Sequence, residues 1–154
     1  TNGIQAIDLV TRKIGIDGGG LVAAEIARMR RIVAEVAGSN VAGFGQAAAR
    51  LGEAVDALEA STAHLLAALR SDPADAQAGA TPYARLFGLA LGGTSLAEKA
   101  LKARGAETAE TVRAEAIGLA RFFAENLATA APGLSASVTS GGQAVVDLDI
   151  PLAS

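Results

Sequence analysis

Apolar residues recur every three or four positions along most of this sequence, the spacing that brings side chains to one face of an α-helix. The pattern predicts long helices over 21–37, 41–70, 82–104 and 108–130. The most regular apolar seam, in 41–70, consists of Val41, Phe44, Ala48, Leu51, Val55, Leu58, Thr62, Leu65 and Leu69. Such seams pack against neighbouring helices at a shallow angle, so we predict an all-α fold, an up-down four-helix bundle.

A short helix is predicted before the bundle. Asn2 is placed to cap its free backbone donors. Its apolar positions are Ile4, Ile7 and either Leu9 or Val10. The glycine-rich stretch 15–20 then favours a break, and we place a boundary between 1–17 and 18–140.

Proline-containing stretches are predicted to interrupt the bundle helices. Asp72-Pro73 opens a loop over 71–80, because proline disfavours the helical conformation of the residue before it. Thr81 is predicted to cap the next helix, with Pro82 at its first position.

The last helix is predicted to be interrupted at Pro132-Gly133, with a further helical turn over 134–139. The tail 141–154 is expected to be extended or poorly ordered. Residues 146–150 alternate as in a strand, but the chain offers this strand no partner.

The composition excludes several classes of function but does not identify one. The 154 residues are 51% apolar and 19% charged, which suits one folded domain. A net charge of -3 gives no electrostatic footprint for nucleic acid. The absence of cysteine excludes disulfides and thiol chemistry, and it is compatible with the predicted cytoplasmic location. Charges interrupt every apolar stretch before the roughly 20 residues of a membrane span, so membrane insertion is not expected.

Few residues are candidates for chemistry. His64, the single histidine, has no cysteine neighbours, so it is expected at a surface or boundary and no metal site is predicted. No Gly-x-Ser-x-Gly motif supports a serine nucleophile. Asp147 and Asp149 are paired carboxylates in a tail that would not hold them at a fixed distance.

Three other groups have a plain structural interpretation. Gly18-Gly19-Gly20 precedes a helix and is interpreted as a hinge rather than an anion nest, because no strand precedes it and no P-loop lysine follows. The cluster of Arg28, Arg30 and Arg31 is interpreted as a solvated helix face. The Phe122-Phe123 pair is expected to divide between core and boundary.

Several motifs, in the right order, resemble one enzyme family. Thr1-Asn2-x-Ile4-Gln5 and Asp8-Leu9-Val10-x-Arg12-Lys13 resemble the segment after the catalytic glutamate of acyl-CoA dehydrogenases. The stretches 83–93 (Tyr-x-x-x-Phe-Gly and small residues) and 120–125 (Ala-Arg-Phe-Phe-Ala-Glu) resemble an extra C-terminal helical domain of some bacterial members. Stretches near 132–134 and 138–141 resemble the end of that domain.

The resemblance implies that the parent protein uses FAD to remove the α proton and β hydride of an acyl-CoA thioester. In the family, a Tyr-Glu-Gly sequence precedes the position of Thr1, and its glutamate is the base. No catalytic residue is therefore expected in this chain, which should be inactive and free of FAD on its own. By position, Thr1, Asn2 and Gly3 are the implied FAD contacts of the intact enzyme, with Gly3 acting through its backbone. Gln5 is given a structural role.

The same resemblance implies an organisation and partners. It makes 1–17 the end of the catalytic domain with a linker, 18–140 the C-terminal bundle and 141–154 the tail. The implied partners are the rest of the dehydrogenase, acyl-CoA in the parent enzyme and further copies in a homo-oligomer. The bundle would then have a structural, oligomerisation or substrate-entrance role, and the arginine cluster would meet a coenzyme A phosphate or an acidic patch of the parent.

Two alternatives remain from the sequence. The unbroken helical seams, without a convergent polar site, also fit a free-standing helical interaction module. A bundle that opens on lipid is weakened by the acidic balance and the few aromatic residues, because interfacial helices carry Lys, Arg, Trp and Phe.

Overall fold

The computed structural model describes residues 1–105 and 107–148, and every regular element in these ranges is helical. The predicted all-α class is thus confirmed. The α-helices are α1 (Asn2–Asp8), α2 (Gly20–Gly38), α3 (Ala47–Ser71), α4 (Pro73–Ala78), α5 (Ala80–Gly105), α6 (Glu110–Asn126), α7 (Ala131–Ser140) and α8 (Gly142–Val146). Helix α1 continues into a π-helical turn at Leu9–Lys13, and 3-10 turns lie at Ile16–Gly19, Ala42–Phe44 and Ala128–Ala130.

Helix α5 is central to the packing, because it contacts α1, α2, α3, α6 and α7. The long helices α2, α3, α5 and α6 correspond to the four predicted ones. The shorter α7 adds to them by packing on both α3 and α5. The bundle is therefore not made of four helices alone, and the simple up-down order stays a prediction.

The core follows the predicted seams. Leu51, Leu58 and Leu65, one heptad apart on α3, are completely buried. Met29 of α2 and Tyr83 of α5 are the largest fully buried side chains around them. Side chains at one-heptad spacing share a helix face, which explains why α3 can contact α2, α5 and α7 along its length.

Helix α1 and the turn after it are anchored through Val10, as predicted, but not through Ile4 and Ile7. Ala6, Val10 and Ile14 are buried in the shared core, whereas Ile4 is 75% and Ile7 is 41% exposed. The π-helical turn at Leu9–Lys13 takes more residues per turn than an α-helix, so Val10 and Ile14, four residues apart, stay on one face.

The predicted loop 71–80 is wrong, because these residues include helix α4 and the start of α5. The Asp72 side chain caps α4 by accepting a hydrogen bond from the Asp75 backbone N–H at 3.2 Å. Pro73 then occupies the first turn, where its missing N–H costs nothing. The predicted cap at Thr81 is also wrong, since α5 already begins at Ala80.

Two other helix boundaries differ from the prediction. Helix α3 begins at Ala47 and not at Val41, because Gly45 takes a φ of +51° and the Gln46 N–H donates to Glu125 of α6 at 2.8 Å. Near the other end of the sequence, helix α6 ends at Asn126, before the predicted end at 130. Pro132 lies in the first turn of α7 and so begins a helix instead of interrupting one, while the predicted helical turn over 134–139 is confirmed as part of α7.

The tail is helical where the structure describes it. Helix α8 spans Gly142–Val146 and packs on α4 and α7, in place of the extended conformation expected for this segment. Gly142 comes so close to Asp75 of α4 that a Cβ atom would lie 2.0 Å from its Oδ1 atom. The strand-like residues 149–150 and the rest of the tail lie outside the described residues. Within the described ranges, no helix combines the length and the apolar character needed to cross a bilayer.

Candidate functional site

The first three residues lie on the surface at the start of α1. Thr1, Asn2 and Gly3 are all exposed. Thr1 occupies the N-cap position and not Asn2, and no side-chain capping hydrogen bond forms. Its carbonyl accepts from the Gln5 N–H at 3.1 Å, while no side-chain hydrogen bond of Thr1 or Asn2 is found within the described part of the chain. A Cβ atom at Gly3 would meet nothing within 4 Å, so its backbone is open to a ligand or to another segment.

The outer face of α1 continues this surface. Ile4 and Ile7 project from it, and the Thr11 hydroxyl donates to the Ile7 carbonyl at 2.8 Å. Asp8 then pairs with Arg12 at 3.0 Å and Lys13 at 3.6 Å. An apolar start followed by a charged end is typical of a helix that contacts another surface through its first turns.

A shallow apolar cleft lies beside α1, between the π-helical turn and the start of α2. Leu9 and Ile14 form one side, Leu21 and Val22 the other, and Phe87 of α5 the floor. Leu21 is 63% exposed although it belongs to this cleft. The outer face of α1, with Ile4 and Ile7, follows directly on Thr1–Gly3, and the cleft lies at the other end of this helix. We call the two together the N-terminal surface.

The glycine-rich turn after α1 has a defined conformation. Asp17, Gly18 and Gly19 all adopt positive φ angles, of 55°, 63° and 92°. A Cβ atom at Gly19 would lie 2.8 Å from the Leu66 Cδ1 atom, so this position packs directly on α3. Glycine is needed there for both its backbone angle and its size. Whether the turn is also a hinge or a domain boundary stays a prediction.

The arginine cluster does not act as one basic patch. Arg28 pairs with Glu25 at 2.8 Å and with Glu98 at 2.9 Å. Arg30 pairs with Asp56 at 2.7 Å and with Glu59. Hydrogen bonds that the two guanidinium groups donate to these carboxylates raise the pKa of both arginines. These two guanidinium groups therefore serve contacts between helices, and only Arg31 remains as the exposed part of a candidate phosphate site.

The remaining candidates are mostly structural. The His64 Nε2 atom lies 2.9 Å from Asp75 Oδ2 in a partly exposed pair that joins α3 to α4. Among the described residues, no three histidine or carboxylate side chains meet as ligands for a metal ion. Phe122 is 57% exposed, whereas the Phe123 ring packs on Gly92 and Gly93 and is partly buried, so the pair divides between surface and boundary and the predicted core position is wrong.

Asp147 accepts a hydrogen bond from the Gln143 side chain at 2.7 Å on the exposed end of α8. Its expected companion, Asp149, lies outside the described residues, so the pair of carboxylates is left as a prediction.

Sequence reasoning missed a buried polar contact and the outer face of α1. The Tyr83 hydroxyl lies 2.8 Å from Thr62 Oγ1 in the core, although Thr62 was read only as a seam position. Ile4 and Ile7 were read as core positions. The sequence signal for the face that is buried was the spacing of four residues between Ala6 and Val10.

Comparison with known proteins points to one family. A family model described as acetyl-CoA dehydrogenase C-terminal like matches residues 23–149. The chain is also similar to the 3-methylmercaptopropionyl-CoA dehydrogenase of Ruegeria pomeroyi (strain ATCC 700808 / DSM 15171 / DSS-3). The two are 34% identical over an alignment of 154 positions, which covers 95% of this chain and 25% of the relative. The chain thus spans about a quarter of the length of that protein.

Proposed function

Because this chain belongs to the acetyl-CoA dehydrogenase C-terminal-like family, we propose that it is the C-terminal helical part of an FAD-dependent acyl-CoA dehydrogenase. The observation that carries the proposal is the family match over residues 23–149, joined to the Thr1-Asn2-x-Ile4-Gln5 motif on an open surface. The substrate of the whole enzyme is an acyl-CoA thioester. The relative's name suggests a short chain with a thioether as the first substrate to try.

The role we assign to α1 is that of a connector. Its inner face, with Ala6 and Val10, is fixed to the bundle. Its outer face, with Ile4 and Ile7, docks on the catalytic body, together with the apolar cleft beside it. Exposed apolar side chains gathered on one side of a protein are a common mark of such an interface. The bundle would then hold α1, and the residues before it, in a fixed orientation.

Thr1, Asn2 and Gly3 are the proposed contacts to FAD. The hydroxyl of Thr1 and the amide of Asn2 are suited to hydrogen bonds with a polar cofactor, and the open backbone at Gly3 allows close approach. When bound, the flavin accepts the hydride that leaves the β carbon of the substrate. The residues of this chain bind and orient it, while the base that removes the α proton is supplied by a segment outside them.

The family match does not favour a free-standing interaction module. The further roles implied for the bundle, in oligomerisation and at the substrate entrance, are proposals that the connector role of α1 does not require. A homo-oligomer is compatible with all of them.

The test uses the longer protein that contains this chain, and measures its dissociation constant for FAD. Asn2→Ala and Thr1→Val each remove one neutral hydrogen bond, so each is expected to weaken FAD binding by about three- to tenfold. Thr129→Val is the matched control, since Thr129 is also exposed but lies beyond α6. Equal affinity in all three variants would contradict the proposed contacts, and a longer protein that binds no flavin would overturn the proposed function.

A further inference from the structure

Helix α6 carries a second, outward-facing seam. Its positions follow steps of three and four and are Val112, Glu115, Leu119, Phe122 and Asn126. Val112, Leu119 and Phe122 are 52%, 53% and 57% exposed, although their spacing is that of a packed helix. The inner face of α6 already has its partners, because Ile117, Ala120 and Ala124 are buried.

The seam borders a groove between α5 and α6. Leu96 and Lys99 form the α5 side, and Val112, Glu115, Ala116 and Leu119 form the α6 side. Gly93 lies against Phe123, whereas Lys99 lies across the groove from Glu115. The two helices are therefore antiparallel, and Lys99 lies close to the level of Glu115.

The α5 side of this surface is flat where the α6 side is bulky. Gly88 and Ser95 are exposed, Gly92 is partly exposed, and a Cβ atom at Gly88 would meet nothing within 4 Å. By the antiparallel alignment, Ser95 and Gly92 lie close to the levels of Leu119 and Phe122, and Gly88 lies about one turn beyond Phe122. A strip of small side chains is complementary in shape to a strip of large ones.

The charges on the groove have the same complementarity. Lys99 and Glu115 are both exposed, and neither takes part in an ion pair with any other residue that the structure describes. Their neighbours do pair within the chain, as Lys102 with Glu98 at 3.3 Å and Arg113 with Glu110 at 3.7 Å. The surface thus has one free charge of each sign on opposite sides of an apolar strip.

We propose that this surface binds a second copy of the same chain around a two-fold axis that runs along the groove. Such an axis places α6 of one protomer over α5 of its partner, because the rotation exchanges the two sides of the groove. It leaves the position of each residue along the helix axes unchanged. Leu119 and Phe122 then meet the small residues of the partner's α5, and Lys99 meets Glu115 in two symmetric ion pairs. The proposal does not rest on the flavin role, since none of these residues belongs to the N-terminal surface.

The test is sedimentation velocity of the 154-residue chain over a range of concentrations, with charge-reversed variants. The unmodified chain is expected to dimerise. Lys99→Glu and Glu115→Lys each turn two attractive pairs into repulsive ones, and each is expected to weaken the dimer by about tenfold or more. The double variant with both changes is expected to regain the dimer.

Mixing the two single variants gives the sharpest result. A Lys99→Glu protomer carries two acidic groups and a Glu115→Lys protomer carries two basic ones, so the mixture is expected to form a heterodimer where each alone is monomeric. Leu119→Asp is expected to abolish the dimer, while Leu21→Asp, equally exposed but on the N-terminal surface, leaves it intact. Circular dichroism checks that each variant is folded.

A chain that is monomeric at every concentration, or a dimer that survives Leu119→Asp and both charge reversals, would overturn the proposal. If this face instead contacts the catalytic body, Leu119→Asp would prevent the longer protein from folding with its flavin and would leave dimerisation of the 154-residue chain unchanged. That result would also overturn the proposed dimer.

Discussion

Tyr83 shows how a single polar group is accommodated in this core. Its side chain is fully buried between α3 and α5, and its ring meets Phe87 edge to face at 6.1 Å. The Thr62 hydroxyl donates to the Leu58 carbonyl at 2.7 Å, so the Tyr83 hydroxyl donates to Thr62. Both hydroxyls are thereby satisfied without water, which a buried polar pair requires.

Burial raises the pKa of Tyr83 above its ordinary value of 10.0, because the phenolate would lose its solvation. Above pH 10.0 the unfolded chain releases this proton first, so the free energy of unfolding is expected to fall as the pH rises. As the chain has one tyrosine and no tryptophan, the tyrosinate absorption band reports on this group alone.

The measurement is a pH titration of that band in the native and in the denaturant-unfolded chain. The native titration is expected at higher pH, together with unfolding. Tyr83→Phe should lower stability by about 1 kcal/mol at neutral pH and remove this part of the alkaline dependence. Native and unfolded curves with the same midpoint would contradict the burial of the Tyr83 hydroxyl.

For single residues, the sequence predicts which side chains are buried better than it predicts which residues they contact. Leu51, Leu58 and Leu65 could be assigned to the core from their spacing alone. The approach of Gly93 to Leu51, where a Cβ atom would lie 2.4 Å from Cδ2, does not follow from the spacing of residues along either helix. Spacing tells which side of a helix is buried, but the partner residue depends on how the helices are arranged.

Helix α1 is the element on which the functional proposal depends. Val10, in the π-helical turn that continues α1, is completely buried, and both α1 and this turn contact α5, whereas Ile7 is 41% exposed. The helix is short, so packing and not intrinsic propensity keeps it folded. Its orientation on the bundle therefore depends on a few buried side chains.

Val10→Ala is expected to lower the free energy of unfolding of the chain by about 2 kcal/mol, because it leaves a cavity under α1. Amide hydrogen exchange should become faster in residues 2–14 first. Ile7→Ala, the control on the outer face, should change stability by less than about 0.5 kcal/mol. A larger effect for Ile7 than for Val10 would mean that α1 packs through the face originally predicted from the sequence.

The element boundaries show where sequence signals are ambiguous. An Asp-Pro pair can follow the end of one helix or form the cap and first position of the next. At Asp72-Pro73 both are true, because α3 ends at Ser71 and α4 begins at Pro73. Helices as short as α4 and α8 carry too few residues for a periodic pattern, and their positions are set by contacts with each other. The long helices were predictable because each one repeats its pattern over several turns.

For the whole molecule, the structure links one bundle to two uncovered surfaces. The N-terminal surface consists of the outer face of α1 and the cleft that follows it, and the α6 seam borders the groove between α5 and α6. Charge does not distinguish them, since Arg28 and Arg30 pair with carboxylates of neighbouring helices and Arg121 pairs with Glu125 of its own helix. The family could be inferred from the sequence because its motifs are local, whereas both surfaces depend on faces that only the packed structure defines.

The most direct test of the central claim is an anaerobic absorption spectrum of the longer protein that contains this chain. The account predicts that the protein is purified with FAD, and that an acyl-CoA thioester such as 3-methylmercaptopropionyl-CoA bleaches the visible band of the oxidised flavin. Replacing the glutamate that precedes Thr1 in the family motif should abolish the bleaching while the flavin remains bound. A longer protein without flavin, or with a flavin that no acyl-CoA reduces, would contradict the account.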